Sequence, residues 1–218
     1  AQGHALGYIE LDNLRPVIGT AEPDPAAAKL VIGVGTGFNA APVHETPWGR
    51  MVAASECGHV NLPVRSEADL RLAHFVETAH GFPGVEDVLS GRGLERLFAF
   101  VSNEAGAPSE SSAAAIMEAL PKENGRGVAT ETVRLFARLL GAEAGNLSLT
   151  HLPFGGVYLC GGVSRAIAPY LAALGFEAAF RDKGRFAGFM QNFSVSVIED
   201  DYAALTGCAV YLDRGAQG

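Results

Sequence analysis

Leu30-Val31-Ile32-Gly33-Val34-Gly35-Thr36-Gly37-Phe38-Asn39 is the stretch around which the rest of the chain is organised. An aliphatic, β-branched run that breaks into alternate glycines reads as a buried strand entering a tight turn. Glycine suits a turn whose backbone must come close to something else. Exposed N–H groups in such a turn can cradle a phosphate, and Thr36 can add a hydroxyl. Taken alone, Gly35-Thr36-Gly37 is more often an ordinary hairpin than a phosphate loop.

Working outward, a polar interval containing Pro42 and Pro47 leads to a second apolar run, Met51-Val52-Ala53-Ala54, read as the return strand. It ends in Ser55-Glu56-Cys57-Gly58-His59-Val60, a loop carrying a carboxylate and an imidazole. With the small Gly58 between them, Glu56 and His59 can both point into one cleft and bind hydroxyls. A lone Glu or His in a loop is more often solvated than functional, so the weight rests on the order of features. A phosphate turn followed by a polyol site points to phosphoryl transfer. A dinucleotide-binding oxidoreductase would also use Gly33-x-Gly35, but that fingerprint needs a helix directly after the glycines. Phe38 to Met51 has two prolines and no helical period.

Composition narrows the class. The chain has 218 residues, 48% hydrophobic and 18% charged, enough for a real core in one large domain or two small ones. No apolar run reaches the roughly 18 residues of a membrane span, and no basic-then-apolar leader opens the chain. The formal net charge of −8, without a large basic cluster, argues against nucleic acid and anionic membrane as partners. Cys57, Cys160 and Cys208 are far apart and form no Cys-x-x-Cys pair, so neither a disulfide framework nor a thiolate zinc site is indicated, and no metal site is assigned. A reduced, cytoplasmic protein fits best.

Along the rest of the chain, Ala1 to Ile9 reads as a helix already under way, without initiator methionine or cap, as in a fragment or processed chain. Glu10 to Glu22 runs into a Pro23-Asp24-Pro25 loop. Ser66, with Asp69 three residues on, is a good N-cap for a helix closing near Gly81. Helices are expected over Leu94–Asn103, Ser109–Leu120 and Ala129–Leu147, the last of these core-forming through Val133, Phe136 and Leu140. Phe154 to Val163 places a short strand between two glycine pairs and ahead of a helix. That arrangement fits a nucleotide's ribose or phosphate, or a tight packing turn. Pro169 should delay the regular helix to about Ala168. A basic loop at Arg181 to Phe186, a strand at Val195 to Ile198 and a helix from Asp201 to about Leu212 complete the chain.

This order of landmarks resembles the bacterial glucokinases of the actin-like sugar-kinase superfamily over nearly the whole chain. Gly33-Val34-Gly35-Thr36-Gly37 is similar to the family's second phosphate motif, and Glu56-Cys57-Gly58-His59-Val60 to its Glu-x-Gly-His sugar motif. Glu86 to Gly91 resembles the sugar-contacting segment, Phe154 to Val163 the adenosine motif, and Asp182 to Phe186 a further match. Asn39 stands where the family often has glycine, and Cys57 where a smaller residue is usual. The cysteine-rich zinc motif of the repressor-type sugar kinases is absent.

The resemblance implies an α/β fold of the actin-like ATPase (ribonuclease H-like) type, a mixed sheet flanked by helices. It implies ATP-dependent phosphorylation of glucose at the 6-hydroxyl, the first step of glycolysis, with Mg2+. The alternative on the same fold is a non-catalytic sugar-binding or regulatory module. Glu56, His59 and Glu86 would bind glucose hydroxyls. Gly33, Gly35, Thr36 and Gly37 would hold ATP phosphates, and Gly161 and Gly162 would let adenosine approach. Residues 1–218 would be the large C-terminal portion, the first phosphate motif and the catalytic aspartate lying ahead of Ala1 in a small N-terminal domain. Apolar surface near Ala1 to Ile9 and Leu30 to Ile32 is then expected to be exposed or covered by another chain. A homodimer joined through this portion is implied as well.

Overall fold

The computed structural model describes residues 6–19 and 21–215. Among these residues one mixed sheet is built from β1 (Leu14–Ile18), β2 (Lys29–Val34), β3 (Phe38–Thr46), β4 (Gly49–Val52), β5 (Val157–Cys160) and β6 (Val195–Ile198), in the order β1-β6-β5-β2-β3-β4. The β2–β3, β3–β4 and β1–β6 pairs are antiparallel, whereas β2–β5 and β5–β6 are parallel. A meander whose first strand is joined by two parallel strands is the actin-like, ribonuclease H-like sheet that the resemblance implies.

Both faces of β2 are covered, as its unbroken apolar run requires. Leu30, Ile32 and Val34 join the larger core with Phe136 and Leu140 of α5 (Val128–His151). Val31 faces the other way, onto Ile9, Val43, Tyr158, Ile198 and Ala203. The expectation of open apolar surface at Leu30 to Ile32 is therefore not met, because β2 is an interior strand and all three residues are buried. The helix expected over Ala1 to Ile9 lies outside the described residues up to Ala5. Leu6 is helical, the chain turns at Gly7 and Tyr8, and Ile9 is buried.

Two strand assignments change. The return strand is Phe38–Thr46 itself, and Gly49–Val52 is a third strand after a turn at Pro47-Trp48. Pro42 is tolerated because its carbonyl accepts from Ala53 N (3.3 Å), so its nitrogen faces the same side, where β4 has already ended. No rung to β2 is lost. The segment after Glu10 contributes β1, which among the described residues is an edge strand pairing only with β6.

The helices follow their caps. In α1 (Glu67–His80), Ser66 Oγ accepts from Asp69 N at 3.1 Å and Gly81 closes the helix in the left-handed region (φ +78°). The segment after Gly84 includes a helical turn, α2 (Val85–Val88). Next, α3 (Gly91–Glu104) begins three residues earlier than the apolar pattern indicates, because Ser90 caps Gly93 N at 3.0 Å. Ser112 likewise caps α4 (Ala113–Ala119), which passes into a 3-10 turn at Leu120–Glu123. The start of α5 is capped from a distance, Glu123 accepting from Ala129 N (3.1 Å) and Thr130 N (2.7 Å).

The last three helices are α6 (Gly162–Leu171), α7 (Phe176–Arg181) and α8 (Ala203–Gly215). Contrary to expectation, α6 runs through Pro169 from the glycine pair onward. Pro169 lies on the exposed side, where water can meet the carbonyl it leaves free, while Ile167, Ala168 and Leu171 hold the buried side. Gly141 and Gly145 of α5 let α7 come close: a Cβ on Gly145 would stand 2.5 Å from the Phe180 carbonyl.

Candidate active site

The two glycine stretches singled out in the sequence meet at the same end of the sheet. β2 and β5 are neighbouring parallel strands with Gly33 opposite Cys160, so the Gly35–Gly37 turn and the Gly161-Gly162 pair lie side by side where these strands end. Gly161 has φ +101°, and a Cβ on it would be 2.5 Å from the Val34 carbonyl oxygen. That position therefore requires glycine for both backbone conformation and space. Gly35 N donates to Gly37 O at 3.0 Å, closing the turn, and Thr36 is exposed at its tip.

Helix ends complete this corner. The first residue of α3, Gly91, donates its N–H to Gly35 O at 2.8 Å, and a Cβ on it would also meet Val163 of α6. The N-termini of α3 and α6 thus converge on the glycine turn. The dipoles of both helices favour an anion there, although the Gly91 and Gly93 N–H groups of α3 are already taken by Gly35 O and Ser90 Oγ. The rival dinucleotide reading fails at this point, since the chain leaves the glycines as strand β3 and not as a helix.

The hydroxyl-binding candidates are organised around Gly58. Residues Cys57–His59 form a short 3-10 turn with Glu56 at its N-cap, so the expected loop is in part helical. A Cβ on Gly58 would collide with the Phe38 carbonyl and lie 3.3 Å from Glu86 Cβ. This contact brings the Glu56–His59 turn, the head of β3 and α2 into one place. Glu86, partly buried on α2, accepts from Phe38 N at 2.9 Å, and its Oε2 fills the space above Gly37. Glu56 and His59 stand on the surface, 78% and 68% exposed, with Oε2 and Nε2 4.0 Å apart. All three candidates are therefore brought together, beside the glycine turn.

Asn39 is the residue whose part was missed. Its Nδ2 donates to Ser55 O at 2.7 Å, and its Oδ1 accepts from Ala40 N at 2.8 Å and from Cys57 Sγ at 3.6 Å. The two departures from the family pattern are thus partners. Burial pushes the Cys57 thiol above its ordinary range, further raised by the nearby Glu143, although Ser55 opposes this. The thiol is accordingly a protonated donor.

A family model described as "Glucokinase" matches residues 1–215. The chain belongs to the glucokinase family. It is 34% identical over 211 residues to the glucokinase of Agrobacterium fabrum, a match covering 97% of this chain and 62% of that one. A glucokinase crystal structure from an Antarctic psychrotroph superposes with a TM-score of 0.83 at 26% identity, covering 98% of this chain and 66% of the other. A glucokinase of the ROK family from Streptomyces griseus, crystallised with glucose and AMPPNP, shares the fold (TM-score 0.60, 20% identity, 86% and 61% covered). The chain therefore spans a little under two thirds of the length of these relatives.

Proposed function

We propose that the whole protein to which this chain belongs transfers the γ-phosphoryl group of ATP to the 6-hydroxyl of glucose. The observation that carries this reading is the single cluster of Glu56, His59 and Glu86 around Gly58, beside a glycine turn that faces two helix N-termini. Membership of the glucokinase family and the glucose and AMPPNP held by the Streptomyces griseus neighbour support it.

In this reading the two carboxylates accept hydrogen bonds from sugar hydroxyls, and His59 adds a further polar contact. Charged acceptors strengthen such bonds. The N–H groups of the Gly35–Gly37 turn and the Gly161-Gly162 pair receive the nucleotide. The sugar's 6-oxygen bonds to the γ-phosphorus as the bond to ADP breaks, and positioning supplies most of the rate. We assign the proton acceptor to an aspartate in a small domain outside residues 1–218. Mg2+ would come bound to the ATP phosphates and would offset their charge. Among the described residues no helix is long and apolar enough to cross a membrane. We further propose a cytoplasmic homodimer acting at the first step of glycolysis.

The test is glucose-dependent ADP release from MgATP by the full-length protein, with fructose and mannose in parallel. Turnover on glucose supports the reading. Turnover on another hexose alone keeps the chemistry and overturns the substrate. Glucose binding without turnover would favour a non-catalytic sugar-binding module.

A further inference from the structure

We propose that Asn39 is a positioning residue: its carboxamide sets where the Glu56 carboxylate stands relative to the glycine turn, with the Cys57 thiol as its coupled partner. This rests on the reading of Glu56 as a sugar ligand.

Three consecutive residues leading into β3 face three different parts of the site. Gly37 ends the glycine turn, Phe38 donates to Glu86 through its N–H, and Asn39 reaches the Glu56 turn. Asn39 touches that turn on both sides of Glu56, at the Ser55 carbonyl before it and the Cys57 thiol after it. The Glu56 backbone is thereby held at its two flanks, while its side chain makes no capping bond and is left in solvent for a ligand. The turn is braced once more from within, Cys57 N donating to Ser55 Oγ at 3.2 Å.

The orientation of the carboxamide is fixed by chemistry. Oδ1 faces two donors, Ala40 N–H and the Cys57 thiol, and Nδ2 faces an acceptor, the Ser55 carbonyl. The reversed amide would set donor against donor and acceptor against acceptor. A glycine at 39 would leave the Ser55 carbonyl and the thiol without this partner, and the Glu56 turn would be held mainly by the Gly58–Phe38 contact. The pair at 39 and 57 thus acts as one unit, and its loss should fall on the sugar and not on the nucleotide.

The experiment uses the full-length protein with Asn39→Ala, Cys57→Ala, the double variant and Cys57→Ser, measuring KM for glucose and for ATP, kcat, and thermal midpoint. Asn39→Ala is expected to raise the glucose KM about tenfold, the scale of one or two lost hydrogen bonds, with the ATP KM within about twofold of wild type. Cys57→Ala should raise it about threefold, and Cys57→Ser should restore most of that. The double variant should be no worse than Asn39→Ala, because the thiol acts through the carboxamide. A glucose KM unchanged in folded Asn39→Ala, glucose and ATP KM rising together, or strictly additive effects would each overturn the proposal. Should Asn39→Ala fail to fold, the contrast between Cys57→Ala and Cys57→Ser decides. Wild-type protein that neither binds nor turns over any hexose would overturn this inference together with the functional reading. Wild type active on glucose with indifferent variants would overturn this inference alone.

Discussion

Gly58 lies directly against the Phe38 carbonyl, leaving no room for a side-chain carbon between them. Because Phe38 also binds Glu86 and follows the glycine turn, this one contact sets the spacing between the proposed sugar and phosphate sites.

Gly58→Ala must therefore move either the Glu56–His59 turn or the head of β3. Overpacking of this kind costs about 1–3 kcal/mol. The expected result is a lowered thermal midpoint and a glucose kcat/KM reduced by about two orders of magnitude, since a displacement near 1 Å at a positioning contact has that scale. Steady-state kinetics alongside thermal melts checks it. A variant with wild-type glucose kinetics would remove the contact from the argument.

The two glycine stretches proposed to receive the nucleotide should separate by mechanism. A Cβ on Gly35 would meet nothing within 4 Å, and Gly35 has no positive φ, so Gly35→Ala should fold as wild type does. If nucleotide phosphates approach this backbone, its ATP KM should still rise about tenfold, because the methyl group occupies space that the phosphate needs. Gly161→Ala should instead lose stability by about 1–3 kcal/mol even without nucleotide, from its φ of +101° and its contact with Val34 O. Melting curves with and without ATP distinguish the two outcomes.

Glu56 and Glu86 should differ in a second way. Glu56 is exposed and makes no cap bond, so Glu56→Ala should leave stability within about 0.5 kcal/mol while lowering glucose kcat/KM by one to two orders of magnitude. Glu86→Ala frees the Phe38 N–H as well as removing a proposed sugar ligand, so both stability and glucose kinetics should fall. Glu86→Gln keeps an acceptor for Phe38 N and should recover the stability but only part of the activity. Equal thermal midpoints for Glu86→Ala and Glu86→Gln would contradict this.

How far the sequence carried these conclusions depended on whether a feature was local. The glycines, Glu56 and His59 announce themselves by residue type and order, Glu86 only through the family resemblance, and the structure brings them together. β1 escaped notice because Leu14, Arg15 and Pro16 are exposed and its partner, β6, is far along the chain. The prolines misled for a related reason. Pro42 is acceptable in a strand only because β4 ends opposite it, and Pro169 in a helix only because that side faces water. The start of α5 depends on Glu123, a cap set apart by a turn, which no local pattern reveals. Asn39 was visible only as an oddity, since its meaning lies in Ser55 and Cys57 across the sheet.

Asp69 offers a pH-dependent test of the fold apart from the site. Its carboxylate is fully buried at the start of α1, ion-paired with Arg138 of α5, and accepts from Arg65 N at 3.1 Å. Burial alone would push this carboxyl up, but Arg138, Ser66 and the Arg65 amide outweigh it and hold Asp69 below its ordinary value of 3.8. Its folded-state value is thus depressed, so the stabilisation is present in full above the unfolded-state value and is lost as pH falls through the folded one. Asp69→Asn removes the ion pair to Arg138, which is 38% exposed and can be taken up by water, and should cost about 1–2 kcal/mol at pH 7. Chemical denaturation of both proteins should show this gap holding from neutral pH down to about the ordinary aspartate value and closing only below it. A gap that closes already between pH 7 and pH 5 would mean that a different group, not Asp69, carries the α1–α5 link.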